Sequence, residues 1–470
     1  MERPILVAGA WSREGEQLER RSEFTGEVTR TYLASRQQVE DAISAAAASA
    51  EAFAKLPSYK RARILANVAE ELLHRSEDFA ALIVSEVGKP LKAARVEVAR
   101  AAQTFTLAAE EAKRLSGDLL PLDLEPASEG RLALVRRFAI GPVTAITPFN
   151  FPLNLIAHKV APAGAVGNPV LIKPAPQAPL VALALAEVLL KAGWPAAALS
   201  VLPCSNEVAT LLVTDKRVKM LSFTGSAAVG WRLKQLAAEK RVVLELGGNA
   251  AVIVHSDAEL DAAAQRCAAG AFAYSGQICI SVQRVYVHRP VYEQFLECLL
   301  AATAGLKLGD PRDETTDIGP MISEAEAIRA ETWIKEAVEQ GAKVLCGARR
   351  QKSFIEPTVL VNVAPQLRIN TCEAFAPVVT VAPYDDFDEA LQLVDDSPYG
   401  LQAGLFTKDI GNIFKAYENL HVGGLVVGDI PTYRAEHMPY GGVKQSGTGR
   451  EGIRYAIEEM TELKTLVLKL

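Results

Sequence analysis

Cys279 is the residue whose surroundings most favour chemistry in this chain. It lies in the segment YSGQICIS, residues 274–281, where small, polar and flexible neighbours give the thiol little apolar cover. A structural cysteine is usually buried among apolar side chains, so this setting predicts an accessible thiol. The thiolate is the nucleophilic form, and a thiol with a pKa of about 8.5 is mostly protonated at neutral pH. Cys279 is therefore a candidate nucleophile that needs a second group to lower its pKa or take its proton.

Four further polar residues stand in short segments that contain proline or glycine. They are Asn150 in TPFNFP, Lys173 in IKPAPQ, Glu245 in ELGGNA and Glu373 in TCEAFAPV. Taken singly, each has an ordinary interpretation as a turn-forming amide, a solvated cation or a surface carboxylate. They become a candidate site only if the fold brings them together.

The segment FTGSAAVG, residues 223–230, has the pattern of a strand that leads through Gly225 and Ser226 into a helix. The N–H groups at a helix N-terminus attract anions, and a glycine lets a phosphate approach the backbone. The segment therefore indicates a site for a dinucleotide pyrophosphate, with a plain strand-to-helix turn as the alternative. It is not the GxGxxG pattern of the common Rossmann fold.

Apolar runs alternate with helical stretches from about residue 141. The predicted strands are PVTAITP, PVLIKPA, LSVLPC, VKMLSFTGS and RVVLELGG, and residues 178–190 form a predicted core helix. This alternation predicts a parallel sheet with helices on both faces, and a second α/β series runs from about residue 250 to 442. Because ligands bind at the carboxyl ends of such strands, we expect ITPFN, KPAPQ, FTGS and ELGG to meet at one edge.

The two ends of the chain carry local signals of their own. SRQQ, residues 35–38, has the form of a capping box, and Val39, Ile43, Ala46, Ala47, Ala50 and Phe53 then fall on one helical face. The tail TELKTLVLKL alternates with a period of two and predicts a strand. An exposed strand edge of this kind usually pairs, often with another subunit.

Composition excludes several classes of function. The 470 residues are 49% hydrophobic and 23% charged, with a formal net charge of −6, which gives no reason to expect nucleic acid or a membrane surface as partner. No apolar run is long enough for a signal peptide or a membrane span. The six cysteines form no CxxC pair and the histidines have no zinc-ligand spacing, so we expect reduced thiols, a cytoplasmic protein and no metal.

In this order, the segments resemble the aldehyde dehydrogenase superfamily across roughly residues 140–455. Counterparts exist there for ITPFNFPLN, LIKPAPQAPL, SFTGSAAVG, LELGGN, YSGQICIS, GDPRDETTDIGPMIS, FIEPTVL, EAFAPV and MPYGGVKQSGTGREG. The resemblance implies an α/β fold with a Rossmann-like parallel-sheet cofactor domain, an α/β catalytic domain and a small β oligomerisation arm. The implied boundaries are 1–120 and 141–249 for the dinucleotide-binding domain, 250–441 for the catalytic domain, and 121–140 with 442–470 for the arm.

The resemblance also implies a reaction, the oxidation of an aldehyde to a carboxylic acid. Cys279 would add to the aldehyde as a thiolate, and Asn150 with the backbone N–H of Cys279 would stabilise the oxyanion that forms. Glu245 would act as the general base that hydrolyses the resulting thioester. Family members that pass the acyl group to coenzyme A generally lack this carboxylate, so Glu245 favours hydrolysis.

The implied coenzyme is NAD or NADP. At position 176 many NAD-preferring relatives carry a glutamate that would repel a 2′-phosphate, and Pro176 removes that barrier without selecting either coenzyme. Ala376, where glycine is usual, and Asn249, where lysine is frequent, are milder departures. The residues matched to coenzyme contacts are Ile146, Thr147, Pro148, Phe149, Lys173, Pro176, Phe223, Gly225, Ser226, Leu246, Gly247, Glu373 and Phe375.

The substrate pocket is predicted from segments near these residues. Arg434 or His437, in PTYRAEHMPYGG, is expected to contact a hydroxyl or anionic group of a short aldehyde, with a structural role for Arg434 as an equal alternative. Similarity to lactaldehyde-type and phosphonoacetaldehyde-type members favours a small polar substrate. The predicted pocket residues are Phe105, Phe149, Leu153, Ile278, Ile280, Arg434, His437 and Tyr440.

Three other functions are alternatives to aldehyde oxidation with hydrolysis. A coenzyme A-acylating dehydrogenase, a non-catalytic structural or binding protein of the same fold, and a cysteine–histidine amidohydrolase each use part of the same pattern. The last leaves the dinucleotide segments unexplained and has no assigned histidine. A homodimer or homotetramer is expected, formed through RLALVRRFA and LKTLVLKL.

Overall fold

The N-terminal part of the chain combines short strands with four long helices. The computed structural model describes residues 1–22 and 26–470. The elements here are β1 (Ile5–Val7), β2 (Ala10–Ser12), β3 (Glu16–Arg21), β4 (Val28–Leu33), α1 (Arg36–Ala54), α2 (Ser58–His74), α3 (Ser76–Val87), α4 (Leu91–Ala112) and β5 (Asp118–Pro121). The predicted capping box is confirmed, because Ser35 Oγ accepts from Gln38 N at 3.2 Å and Gln38 Oε1 accepts from Ser35 N at 2.8 Å.

Strands and helices alternate from residue 131 onward, as the apolar runs predicted. The elements are β6 (Arg131–Ala139), β7 (Val143–Ile146), α5 (Asn154–Val166), β8 (Val170–Lys173), α6 (Pro179–Lys191), β9 (Leu199–Val201), α7 (Asn206–Thr214), β10 (Met220–Thr224), α8 (Ala227–Ala237) and β11 (Arg241–Glu245). Parallel pairing runs β9-β8-β7-β10-β11. The predicted βαβ arrangement is confirmed.

The second α/β series occupies residues 251–427. Its elements are β12 (Ala251–Val254), α9 (Leu260–Phe272), β13 (Arg284–His288), α10 (Tyr292–Ala304), α11 (Glu324–Glu339), β14 (Lys343–Cys346), β15 (Arg350–Gln351), β16 (Phe354–Ile355), β17 (Thr358–Val361), α12 (Arg368–Thr371), β18 (Val378–Tyr384), α13 (Phe387–Asp395), β19 (Tyr399–Gly400), β20 (Gln402–Phe406), α14 (Ile410–Asn419) and β21 (Gly424–Val427). The chain ends with β22 (Val443–Lys444), β23 (Gly447–Thr448), α15 (Ile453–Glu459) and β24 (Thr461–Lys469).

Two large sheets organise these elements. One has eight strands in the order β2-β1-β9-β8-β7-β10-β11-β23, and the other has seven in the order β14-β17-β18-β13-β12-β20-β21. Helices cover both faces of the first sheet, because buried residues of β7 and β8 pack against α2–α6 on one face and against α1, α7 and α8 on the other. β23 joins this sheet although its residues lie in the segment predicted to form the arm.

A separate three-stranded sheet, β24-β6-β5, projects from the chain. β24 pairs with β6 along nine antiparallel positions, from Thr461 with Ala139 to Lys469 with Arg131. The tail is therefore a strand, as its alternation predicted. Its first partner is a strand of the same chain, and its other edge carries no strand in the described residues.

No helix among the described residues has the length and apolarity that crossing a bilayer requires.

Candidate active site

One cavity is lined by residues that end or precede strands of both large sheets. Ile146, Lys173, Thr224 and Glu245 end four neighbouring parallel strands of the eight-stranded sheet, so their carboxyl ends meet at one edge as predicted. The second sheet contributes its opposite edge, because Cys279 precedes β13 and Glu373 precedes β18. These two edges enclose a cavity of 650 Å³ lined by Cys279, Glu245, Asn150 and Glu373.

A left-handed turn presents Cys279 to this cavity. Tyr274, Ser275 and Gly276 all have positive φ angles, of 49°, 57° and 68°. A side chain at Gly276 would meet the carbonyl of Ala376 at 2.1 Å, so only glycine fits there. Ser275 Oγ donates to Gly319 O at 2.6 Å and anchors the turn. The strained backbone is thus held by packing and hydrogen bonds at the point where it must aim a thiol.

Among residues 1–22 and 26–470, the Cys279 thiol has one side-chain hydrogen-bond partner, the hydroxyl of Tyr440, with 3.3 Å between sulfur and oxygen. Burial raises the pKa of Cys279 to about 12, the Tyr440 hydrogen bond lowers it, and the nearby Glu373 and Glu245 carboxylates raise it further. The resting thiol is therefore protonated, and its activation depends on the groups around it.

Asn150 lies beside the nucleophile segment. Its Nδ2 donates to Gln277 O at 2.9 Å, and its side chain is buried. In the described part of the chain the N–H of Cys279 has no acceptor. An amide Nδ2 and a backbone N–H on neighbouring segments are the donor types from which an oxyanion hole is made.

A buried ion pair fixes the segment that carries Asn150. Glu97 Oε1 accepts from Leu153 N at 2.9 Å and from Asn154 N at 3.1 Å, which satisfies the free amides at the start of α5. Glu97 also pairs with the fully buried Lys89. The Lys89 ammonium lies 3.6 Å from the ring centroid of Phe151 and 4.6 Å from that of Tyr274. One cation therefore contacts both the segment of Asn150 and the segment of Cys279.

Glu245 is buried at the end of β11, and neither carboxylate oxygen has a hydrogen-bond partner among the described residues. Burial, followed by the nearby Glu451 carboxylate, raises the pKa of Glu245 well above its usual range. A side chain at Gly441 would approach Glu245 Oε1 to 2.8 Å, so this glycine leaves the carboxylate its space. A carboxylate with a raised pKa is a better general base near neutral pH than an exposed one.

A cluster of buried charges, which the sequence did not indicate, borders the cavity. Arg100 Nε donates to Glu436 Oε1 at 2.6 Å, and His158 Nε2 lies 2.5 Å from Glu436 Oε2. Although burial opposes its ionisation, His158 and Arg100 hold the pKa of Glu436 well below its usual range. Arg100 and His158 line the cavity, whereas Glu436 lies behind them.

Arg434 forms the second half of this cluster. Its Nη2 donates to Glu451 Oε2 at 3.0 Å, and its guanidinium lies 3.7 Å from the ring centroid of Tyr440. Lys159 Nζ donates to Glu451 Oε1 at 2.9 Å. Although burial opposes its ionisation, Lys159, with His158 and Arg434, holds the pKa of Glu451 well below its usual range. Arg434 thus lines the cavity and also holds its loop, whereas its contact with a substrate group stays a prediction.

A second cavity of 770 Å³ adjoins the first and shares Phe149, Gly225 and Ser226 with it. Ser226 begins α8, where no described side chain caps the first N–H groups, as a bound pyrophosphate would require. Lys173 lines this cavity and forms no ion pair in the described chain. The donors present therefore fit a dinucleotide. Each predicted coenzyme-contact residue lines one of the two cavities.

Glu373 lines the first cavity together with Cys279. Its Oε1 accepts from Gly248 N at 3.1 Å, and a side chain at Gly247 would meet Glu373 Oε2 at 2.4 Å. Burial raises the pKa of Glu373 to about 7, although the Gly248 N–H lowers it. The close glycine backbone keeps this carboxylate at the cavity wall.

Three predicted pocket residues lie elsewhere. Phe105 and Leu153 are fully buried in the hydrophobic core among α2–α6, because the helix face that carries them packs against other helices. His437 is exposed and does not line the cavity. The other five, Phe149, Ile278, Ile280, Arg434 and Tyr440, line it.

Several cavity residues were missed from the sequence. Arg100, His158, Trp333, Tyr399 and Thr432 line the cavity with the predicted set. The one sequence signal for Arg100 was a charge within a helix whose neighbouring turns are apolar, and His158 follows an apolar run in the same way. Neither pattern indicates which side chain pairs with Arg100 or with His158.

Comparisons with known proteins agree with this geometry. The family model described as "Aldehyde dehydrogenase family" matches residues 11–466. The 3-sulfolactaldehyde dehydrogenase of Priestia megaterium is 45% identical over 469 residues, which cover 99% of this chain and 98% of that protein.

Two solved structures are similar over the whole length. The crystal structure of aldehyde dehydrogenase 21 from Physcomitrella patens in complex with the reaction product succinate has a TM-score of 0.98 and 44% identity, and covers 100% of this chain and 98% of that chain. A glyceraldehyde-3-phosphate dehydrogenase from Methanocaldococcus jannaschii complexed with NADP has a TM-score of 0.92 and 37% identity, covering 98% of this chain and 100% of that chain. The chain thus belongs to the aldehyde dehydrogenase family and oxidises aldehydes with NAD or NADP as coenzyme.

Proposed function

We propose that this enzyme oxidises a short aldehyde that carries an anionic group, and that it releases the product as a carboxylic acid. The Cys279 thiol first loses its proton to water in the cavity, and the thiolate then adds to the aldehyde carbon, forming a carbon–sulfur bond while the carbonyl π electrons move to oxygen. Asn150 Nδ2 and the Cys279 N–H are the donors for that oxyanion. Loss of the aldehydic hydrogen with its electron pair leaves a thioester on Cys279.

NAD or NADP, when bound, supplies the acceptor for that hydride. Ser226 and the start of α8 would hold the pyrophosphate, Lys173 the adenosine ribose and Glu373 the nicotinamide ribose. Pro176 presents no carboxylate to a 2′-phosphate, and Lys173 and Arg232 line the same cavity, which supports the use of either coenzyme.

Glu245 is proposed to complete the reaction. It removes a proton from water as the water attacks the thioester carbon, and the carbon–sulfur bond breaks with its electron pair returning to sulfur. The buried carboxylate without a partner supports hydrolysis over transfer to coenzyme A. A rate that depends strictly on added coenzyme A would favour the acylating alternative.

The proposal of an anionic substrate rests on one observation, the two arginines Arg100 and Arg434 on the cavity wall. Each of them shares its carboxylate with another basic group, because Glu436 also faces His158 and Glu451 also pairs with Lys159. Buried charges are normally paired, so a substrate carboxylate, sulfonate or phosphonate would complete the set.

The site also supports a short substrate. Arg434 stacks on Tyr440, whose hydroxyl contacts Cys279, so a single side chain separates the cation from the nucleophile. The Priestia megaterium relative is named for 3-sulfolactaldehyde, a small anionic aldehyde. The aldehyde dehydrogenase 21 structure contains succinate, a small anionic product, and both support this proposal.

A panel of aldehydes with both coenzymes tests the proposal. We expect kcat/KM for 3-sulfolactaldehyde or succinate semialdehyde to exceed that for lactaldehyde, and lactaldehyde to exceed hexanal. Cys279→Ser should abolish coenzyme reduction while leaving coenzyme binding intact. A preference for hexanal would contradict the anionic substrate, and full activity of the Cys279→Ser variant would contradict the mechanism.

We also propose that the enzyme is a homodimer or homotetramer formed through the β24-β6-β5 sheet. Leu463, Leu466 and Val467 on β24 are exposed by 58, 54 and 52%. A nine-residue edge strand with apolar side chains and an open edge is a surface that another chain would cover. The six cysteines are free, which supports a reducing compartment such as the cytoplasm.

A further inference from the structure

The hydroxyl of Tyr440 is the one side-chain group within hydrogen-bond distance of the Cys279 sulfur in the described chain, at 3.3 Å. We propose that Tyr440 is a catalytic residue, which donates its O–H to the Cys279 thiolate and so stabilises the reactive form of the nucleophile. This inference rests on the role proposed above for Cys279. It gives Tyr440 a chemical task in addition to its place on the cavity wall.

The direction of the hydrogen bond follows from the chemistry of the two groups. A thiolate has no proton to donate, so in the reactive state the phenol must be the donor. Burial and the nearby Cys279 raise the pKa of Tyr440 well above its usual range, so its proton stays on oxygen. The Arg434 guanidinium over the ring attracts electron density from the phenol and strengthens its O–H as a donor.

The structure holds the phenol rigidly in this position. Tyr440 and Glu451 exchange backbone hydrogen bonds, with Tyr440 N to Glu451 O at 3.1 Å and Glu451 N to Tyr440 O at 2.7 Å. The Glu451 side chain pairs with Arg434, and Arg434 covers the Tyr440 ring, so the three residues form a closed set of contacts. A preorganised donor loses little conformational freedom when charge develops on the sulfur.

The surroundings of the Cys279 sulfur explain why a thiolate there needs a hydrogen-bond donor. No lysine, arginine or histidine among the described residues lies within hydrogen-bond distance of the Cys279 sulfur. The Arg434 charge favours the thiolate from the far side of Tyr440, whereas burial and the Glu373 and Glu245 carboxylates disfavour it. The Tyr440 O–H offsets part of that cost when the thiolate attacks the aldehyde. It acts again in thioester hydrolysis, because the departing sulfur receives the electron pair of the broken carbon–sulfur bond and becomes a thiolate once more.

Alkylation of Cys279 by iodoacetamide tests the proposal without relying on turnover. The rate is measured against pH on the full-length protein, with and without coenzyme, and the Cys279 peptide is followed by mass spectrometry. In Tyr440→Phe we expect the alkylation rate constant at each pH between about 7 and 9 to fall about 10- to 100-fold, the effect of losing a hydrogen bond to a charged group. We expect kcat/KM at neutral pH to fall about 10-fold or more with it.

Tyr384→Phe is the matched control. Tyr384, at the end of β18, is buried like Tyr440. Its hydroxyl forms a hydrogen bond with His255 Nδ1 at 2.7 Å, and it does not line the cavity. This variant should leave the Cys279 profile unchanged. If Tyr440→Phe proves unstable, incorporation of 3-fluorotyrosine at position 440 keeps the ring and makes the O–H a stronger donor, so the alkylation rate constant should rise.

The outcomes separate this inference from the proposed mechanism. An unchanged alkylation rate constant in Tyr440→Phe, or no increase with 3-fluorotyrosine, would overturn the role of Tyr440 while Cys279→Ser remains inactive. If Cys279→Ser keeps its activity, the proposed nucleophile itself is wrong, whatever the alkylation profile shows.

Discussion

Arg100 and Glu436 lie 336 residues apart in the chain, yet Arg100 Nε donates to Glu436 Oε1 at 2.6 Å at the cavity wall. Glu436 also faces His158, so one buried carboxylate orients two cavity-lining groups. Such a carboxylate fixes the direction of a long cationic side chain that would otherwise be mobile. If the substrate is anionic, as proposed, we expect Arg100 to bind its anionic group with little loss of side-chain entropy.

Arg100→Met should weaken binding of anionic aldehydes selectively. A hydrogen bond to a charged group contributes about 1.5–3 kcal/mol, so we expect KM for succinate semialdehyde to rise about 10–100-fold. KM for propanal, which has no anionic group, should change little. Arg95→Met is the control, because Arg95 lies on the same helix and pairs with Glu77 and Glu314 away from the cavity. Equal losses for both aldehydes would contradict an anion-binding role.

Glu245→Gln should separate acylation from hydrolysis. The variant keeps the shape of the side chain and loses the base, so we expect a first burst of reduced coenzyme followed by steady-state turnover about 10²–10⁴-fold slower. Rapid-mixing absorbance and intact-protein mass spectrometry would show the acyl group held on Cys279. Absence of the burst would instead assign Glu245 to deprotonation of the thiol.

Coenzyme affinity should depend on pH through Glu373. A carboxylate accepts hydrogen bonds from ribose hydroxyls, and its protonated form accepts them less well. Burial raises the pKa of Glu373 to about 7, so this change falls near neutral pH. The sign follows directly: Kd should fall as pH rises through about 7 and level off above it. Quenching of tryptophan fluorescence, with Trp333 on the cavity wall, measures the binding. Glu373→Gln should bind more weakly and lose the pH dependence, and the same slope in this variant would refute the assignment.

Lys89→Met should destabilise the fold strongly. It removes one partner of a fully buried pair and leaves the Glu97 carboxylate without its cation, which typically costs about 3–5 kcal/mol. Urea denaturation followed by circular dichroism measures the loss. Lys55→Met, which breaks the exposed pair with Glu51 on α1, should leave the unfolding midpoint unchanged. Similar midpoints for the two variants would show that the buried pair contributes nothing.

Leu466→Asp should dissociate the proposed oligomer. A charge in the middle of β24 would have to be desolvated in a subunit contact, whereas it costs little in water. Sedimentation velocity should show a smaller species with unchanged circular dichroism. Val338→Asp, at an exposed apolar position of α11, should not change the mass. If wild type itself sediments as a monomer, the proposed assembly through the arm is wrong.

Much of this molecule could be predicted from local pattern. The capping box before α1, the alternation of β7 to β11 with helices, and the strand of the tail depend on residues close in sequence. For the same reason the ends of β7, β8, β10 and β11 could be expected at one edge, since consecutive βαβ units place the carboxyl ends of parallel strands together. Cys279, Glu245 and Asn150 were also named from the sequence, through the family resemblance that their motifs carry.

The tertiary structure decided which side chains face one another. Phe105 and Leu153 looked suited to a pocket by type and position, yet helix packing buries both in the core. Arg100 reaches the cavity because a carboxylate hundreds of residues away fixes it there. The contact of Tyr440 with the Cys279 sulfur likewise joins two loops from distant parts of the chain. Periodicity reports a residue's own element and face, whereas pairing between distant side chains is set by the packing of whole elements, which no local pattern contains.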